Sequence, residues 1–254
     1  MQPPVQFQDR SDYKRKMNAL LEIEPQTTVV LTVDMQNDYL DVQCATSPVA
    51  PDEAKRVLTN ARKLLTWARA AGLPVVHAYV KRRRLEAERK VVHNAVVEAS
   101  HVARLSQNVQ APVRAGADRV EGMPQAEVPA ELVAPGDFHV TAKRVLDAFH
   151  DTDLDMLLRR VLRARTLIVT GINTDTCVYA TVFAAGNRGY QPVVVSDCVA
   201  SMRGVDQHWM ALELMSRSVA WVMTVDELKA KLDGSTRGEH RIDHAVRPAT
   251  GQRA

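Results

Sequence analysis

Two kinds of segment alternate along this chain. Short runs rich in β-branched and apolar residues occur at 27–34 (TTVVLTVD), 74–80 (PVVHAYV), 137–142 (DFHVTA), 166–171 (TLIVTG), 192–196 (PVVVS) and 219–223 (VAWVM). Near-continuous apolar character of this kind suits strands buried on both faces. Between them, apolar residues at helical spacing mark amphipathic helices over 52–72, 152–164, 175–189 and 205–218. Pro51 and Asp52 open the first of these, Gly72 followed by Pro74 closes it, and Asp151 or Thr152 caps the second. The alternation predicts an α/β fold: a three-layer α-β-α sandwich around a mainly parallel six-stranded sheet, Rossmann-like in plan. In such a sheet ligands bind at the carboxyl ends of the strands.

With 254 residues, 46% of them hydrophobic, one large domain over 25–233 is expected, preceded by an arm (1–24). Residues 234–254 carry few large apolar side chains and read as a flexible tail. The rhythm breaks at 85–136, where a helical pattern (86–105) is followed by a loop interrupted by Pro and Gly (111–136). That insert is longer than a connection requires and suits a lid or a subunit contact. The formal charge of +3 is spread over both signs along the chain, which argues against a nucleic-acid partner. No apolar run reaches the roughly 18 residues of a membrane span, and the N-terminus lacks a signal-peptide core, so a cytoplasmic location is expected.

Cys44, Cys177 and Cys198 are odd in number and widely spaced, unlike a disulfide framework or a paired metal site. Cys177 stands out by position. In IVTGINTDTCVY (168–179) it follows a strand directly and falls in the first turn of a helix, at the edge where the fold binds ligands. A helix N-terminus lowers a thiol pKa and favours the attacking thiolate. A free cysteine is also commonly a small buried hydrophobe. Asp34 closes the first strand and Lys143 follows the third, at the same edge. Singly they read as a turn residue and a solvated charge; with Cys177 they make a set able to deprotonate and orient a nucleophile.

DMQNDY (34–39), the lysine of TAKRVLDAF and GINTDTCV (171–178) together resemble the isochorismatase-like cysteine hydrolases, over roughly residues 25–228. That superfamily includes nicotinamidase, N-carbamoylsarcosine amidohydrolase, ureidoacrylate amidohydrolase and biuret hydrolase. The resemblance implies a catalytic triad of Asp34, Lys143 and Cys177. In it Asp34 is the general base, Lys143 orients it and keeps it charged, and Cys177 attacks an amide or ureido carbonyl. It implies an oxyanion hole from the backbone NH groups of Asn173 and Cys177, and a cis peptide between Ile172 and Asn173. The implied activity is cleavage of a C–N bond in a small ureido, carbamoyl or biuret-type substrate through a thioester, with no cofactor. A simple carboxamide such as maleamate or a nicotinamide-like amide is the neighbouring alternative, and a non-catalytic binding module the alternative outside enzymes. The resemblance also implies a homo-oligomer, dimer or tetramer.

Nicotinamidases hold a metal through an aspartate and histidines in a DxH-type loop. His77, His93 and His101 do not reproduce that spacing, so no metal is expected. His77 reads as a satisfied core histidine, and His93 and His101 as surface or packing residues. KRRR (81–84) follows the second strand, and Arg82 is the candidate for binding a substrate carboxylate or carbonyl, against the plainer reading of a solvated turn. Tyr39, in the first motif, is the candidate pocket aromatic. Cys44 and Cys198 read as a bystander and a structural thiol.

Overall fold

The computed structural model describes residues 7–41, 43–96, 98–99 and 119–236. Six strands form one sheet: β1 (Thr28–Val33), β2 (Val75–Ala78), β3 (Phe138–Val140), β4 (Thr166–Ile172), β5 (Gln191–Ala200) and β6 (Trp221–Met223). Their order is β3-β2-β1-β4-β5-β6 and every pairing is parallel. All carboxyl ends therefore lie at one edge.

Alternate residues of each strand feed two cores. Val30, Ile168, Ile172, Val193 and Val195 pack with Val57, Ala61, Leu64 and Leu65 of the Pro51–Ala70 helix and with Leu228 and Leu232 of the Val225–Thr236 helix. On the opposite face Leu31, Val33, Leu167, Val169 and Val194 meet Val182 of the Tyr179–Asn187 helix and Leu212 and Met215 of the Val205–Ser218 helix. Both faces are thus covered, which is why the strands read as unbroken apolar runs instead of alternating ones.

Several boundaries differ from the sequence reading, each for a local reason. Where one helix is expected over 86–105, the chain forms the short Arg84–Glu88 helix, leaves it through Lys90 at φ 52°, a left-handed conformation that ends a helix, and is helical again at 95–96 and 98–99. His101 and residues 100–118 of the insert lie outside the described residues, as does the tail from 237. The end of the insert is part of the body, with Ala126 and Leu132 fully buried. The arm contains the Ser11–Leu20 helix, tied to the body by Lys14–Glu213 (2.5 Å) and by Trp221 Nε1 donating to the Met17 carbonyl (3.0 Å). The last helix continues to Thr236, past the expected domain end at 233. The 152–164 helix is a short α turn (Leu154–Met156) running into a π turn (Leu157–Val161), with Asp153 at its N-cap.

His77 is fully buried in β2 and satisfied at both ring nitrogens. Thr32 Oγ1 lies 2.8 Å from Nδ1 and Asp137 Oδ2 lies 3.2 Å from Nε2. The neutral tautomer that accepts from Thr32 and donates to Asp137 fits this arrangement. Burial pushes the imidazole pKa down to about 4, against the opposing pull of Asp137. The unfolded chain therefore takes up a proton that the fold refuses. The stability this group contributes is complete above about pH 6.5 and is lost as pH falls toward 4, at most about 3 kcal/mol. Unfolding free energies of wild type and His77→Gln, measured by urea titration across that window, are expected to show a flatter pH slope in the variant. Equal slopes would remove His77 from the acid response.

Candidate active site

Three strands deliver three ionisable side chains to the carboxyl edge. Asp34 follows β1 in a left-handed conformation (φ 48°), with its NH bonded to the Ala78 carbonyl at 2.9 Å. Lys143 lies just beyond β3, after a bridge between Ala142 and Val80. Cys177 sits in a π-helical turn, Thr174–Val178, that follows β4 and leads into the Tyr179–Asn187 helix. Lys143 Nζ donates to Asp34 Oδ2 at 2.6 Å, and both side chains are buried, 1% and 0% exposed. Oδ1 of Asp34 receives no N–H or O–H donor. The Cys177 thiol, whose pKa the Asp34 carboxylate raises, is the neighbouring group that could use it.

The electrostatics of the three are interlocked. Burial pulls the Lys143 pKa down, but the Asp34 carboxylate, the nearby Cys177 and the hydrogen bond to Asp34 hold it above the ordinary value. The ammonium is therefore retained. For Cys177, burial and then the negative charge of Asp34 push the thiol up to about 11, against the opposite influence of Lys143 and Arg119. This corrects the expectation that a helix start lowers this pKa: desolvation and an adjacent carboxylate outweigh the helix end. At neutral pH the resting group is therefore a thiol.

The turn that carries Cys177 is fixed on all sides. Gly171 (φ 138°) lies against β1 so closely that a Cβ there would stand 2.0 Å from the Val33 carbonyl oxygen, so only glycine fits. The Ile172–Asn173 peptide is cis. Asn173 Oδ1 accepts from Met202 N (2.8 Å), Thr174 Oγ1 meets His208 Nδ1 (2.8 Å) and Asp175 Oδ1 accepts from Ser201 Oγ (2.6 Å). The 201–208 segment after β5 thus grips three consecutive residues of the turn.

Tyr39 is buried beside this edge, in the short Asn37–Leu40 helix. Arg82 turns its guanidinium to the Val91 carbonyl. The arginine whose charge reaches both Cys177 and Lys143 is Arg119, at the end of the insert. Its guanidinium donates to the Tyr39 hydroxyl and lies over the Tyr39 ring. Nothing in the spacing of AGADRVEG marks it, because tertiary contact alone brings it here. Cys198 is fully buried in the core, and burial raises its pKa strongly; Cys44, held near Asp41, is pushed up to about 11 by burial first and then by that carboxylate. His93 Nε2 lies 3.2 Å from Glu86. Among the described residues no cluster of His, Cys, Asp and Glu has the arrangement of a metal site, and no described helix is long and apolar enough to cross a membrane.

The isochorismatase domain family matches residues 28–227. The chain is 28% identical over 213 residues to the uncharacterized isochorismatase family protein YecD of Escherichia coli O157:H7, covering 82% of this chain and 98% of that one. It is 26% identical over 234 residues to the ureidoacrylate amidohydrolase RutB of Methylobacterium radiotolerans, covering 89% and 87%. Among solved structures it resembles a cysteine hydrolase from Pseudomonas syringae pv. phaseolicola, with TM-score 0.63, 25% identity and coverage of 84% and 95%. It also resembles N-carbamoylsarcosine amidase from Thermoplasma acidophilum, with TM-score 0.59, 26% identity and coverage of 79% and 97%. The three-layer fold, with ionisable groups gathered at the carboxyl edge of a parallel sheet, is that of the isochorismatase-like hydrolases. The chain belongs to the isochorismatase family and is a hydrolase of that family.

Removing one partner of the buried ion pair strands the other. Lys143→Met is expected to cost about 3–5 kcal/mol of folding free energy. The double variant Asp34→Asn, Lys143→Met is expected to regain a large part of that loss. Denaturant titrations of the four members of the cycle measure the coupling, and additive single effects would mean that the pair does not stabilise the fold.

Proposed function

We propose that this protein is a cysteine amidohydrolase that cleaves a C–N bond in a small ureido, carbamoyl or biuret-type substrate, releasing ammonia or an amine. The observation that carries the reading is the buried Lys143–Asp34 contact of 2.6 Å with the Cys177 thiol beside it. A charged carboxylate next to a protonated thiol in a dry site is a base waiting for a proton, and Lys143 keeps it oriented. The ureidoacrylate amidohydrolase and N-carbamoylsarcosine amidase relatives favour the ureido and carbamoyl class.

In the cycle Asp34 accepts the thiol proton as Cys177 Sγ bonds to the carbonyl carbon. The backbone NH groups of Asn173 and Cys177 stabilise the tetrahedral oxygen, a role supported by the way Asn173 and its neighbours are held by the 201–208 segment. Asp34 then protonates the departing nitrogen, the C–N bond breaks and a thioester remains on Cys177. A water that has replaced the leaving group gives its proton to Asp34 as it attacks the thioester; the C–S bond breaks and the thiol recovers the proton. Every proton is moved by this chain's own groups, and the cycle calls for no cofactor.

Ammonia release assayed across biuret, ureidoacrylate, N-carbamoyl amino acids, maleamate and nicotinamide identifies the substrate class; turnover confined to the last two would point to simple carboxamides. Cys177→Ala is expected to abolish turnover with the fold retained, and Asp34→Asn to slow it by about a hundredfold or more. Hydrolysis that survives Cys177→Ala would refute the mechanism.

A further inference from the structure

The chain leaves the sheet before it reaches Lys143. β3 ends at Val140, and the last link beyond it is the bridge between Ala142 and Val80. No strand pairing holds residues 143–152. What holds the Lys143 peptide is the side chain next to it. Arg144 Nη1 donates to the Thr141 carbonyl (3.0 Å) and to the Lys143 carbonyl (2.9 Å), clasping the backbone on both sides of the bridge residue. The other two nitrogens face Glu86, in the first turn of the insert: Nε donates to Oε1 at 2.8 Å and Nη2 to Oε2 at 2.9 Å. All three nitrogens of the guanidinium are thereby committed, and both side chains lie largely out of water, 19% and 18% exposed.

Glu86 is anchored in turn. Its Oε2 accepts from Arg83 N (2.6 Å), and the Arg84–Glu88 helix is tied to the end of the insert by Arg84 N donating to Glu121 Oε1 (3.2 Å). Just before that helix Arg82 N donates to the Arg119 carbonyl (2.8 Å). The hydrogen bond from Arg144, opposed by burial and aided by the Arg83 NH, holds the Glu86 carboxyl down at about 2. The pair therefore stays charged at neutral pH.

We propose that Glu86 and Arg144 are positioning residues for Lys143, their two-point ion pair fixing the Lys143 backbone so that Nζ meets Asp34. This rests on the amidohydrolase reading and extends it to the insert, whose first turn serves as a brace for the triad. A lysine is a point charge on a flexible four-carbon stem, so its place is only as well defined as its backbone. Misplacing a catalytic group by about 1 Å can cost on the order of a hundredfold in rate. The planar fork of an arginine can meet both oxygens of a carboxylate along one edge and still offer its third nitrogen to carbonyls; a single ammonium cannot span both sets. Among the described residues neither Glu86 nor Arg144 has a hydrogen bond or ion pair with Asp34 or Cys177, so their effect has to pass through Lys143.

The test reads turnover of ureidoacrylate, and separately alkylation of Cys177 by iodoacetamide, followed as mass gain on its peptide, in wild type, Glu86→Gln, Arg144→Lys and Arg144→Met. Arg144→Met is expected to lower kcat by about tenfold or more with KM changed by less than about threefold. Arg144→Lys should be nearly as slow because the fork is lost, and Glu86→Gln should fall between. The Glu86→Gln, Arg144→Met double variant should be no slower than Arg144→Met alone. The Lys143 charge favours the Cys177 thiolate, so an ammonium out of place should slow alkylation, by about threefold in Arg144→Met. A site that is merely loosened would expose the buried thiol and react faster. Wild-type kcat in Arg144→Lys, a loss confined to KM, additive effects in the double variant, or faster alkylation would overturn the proposal while leaving the amidohydrolase reading intact. If wild type releases ammonia from none of the compounds assayed above, slower alkylation in Arg144→Met still upholds the brace, and the failure lies with amide cleavage. Thermal unfolding checks that Arg144→Met folds; if it does not, the isosteric Glu86→Gln decides by the same two readouts.

Discussion

Placing Asp34 and Lys143 together out of water sets conditions on everything around them. Each ion taken alone into the interior costs several kcal/mol, and the loss is offset only when the geometry is close and the remaining polar atoms are addressed. The 2.6 Å contact meets the first condition. Parallel strands that end at one level, the left-handed backbone at Asp34 and a long side chain reaching from β3 across β2 to the end of β1 bring that contact about, while Asp34 Oδ1 receives no N–H or O–H donor. The same carboxylate that requires Lys143 also raises the pKa of Cys177, so charge balance and nucleophile chemistry are one problem with one solution. Burial and the Asp34 charge together favour the protonated thiol.

Around this pair the backbone is held by side chains that have no part in proton transfer. Asn173, Thr174 and Asp175 each use their side chain to grip the 201–208 segment, which holds the turn against the end of β5. Gly171 permits β4 to press against Val33 just before that turn. On the other flank Gln36 Nε2 donates to the Val80 and Ala126 carbonyls, so one side chain ties the first motif to the chain just beyond β2 and to residue 126. Arrangements of this kind fix reacting groups in advance, which is the physical content of a preorganised site.

The strands were legible because a strand covered on both faces has to be apolar throughout, and the positions of Asp34, Lys143 and Cys177 were legible because each directly follows such a run. Other features left no local trace. The helical pattern from residue 86 is interrupted because Lys90 turns the backbone left-handed, and the arm's Ser11–Leu20 helix is held by contacts with Glu213 and Trp221 some two hundred residues away. Arg82 was the natural arginine to single out, being next to a strand end. Arg119 reaches the edge only because a loop folds back onto Tyr39, and no spacing rule encodes that.

The amino-acid sequence by itself determined the layering, the parallel sheet and the edge at which chemistry would occur, since periodicity and strand-end position depend on neighbours a few residues apart. Tertiary structure alone decided the protonation of the thiol, the partners of the 173–175 side chains and the cation beside the site. Desolvation and charge proximity depend on distances in space, and residues 34, 119, 143 and 177 acquire those only when the chain has folded.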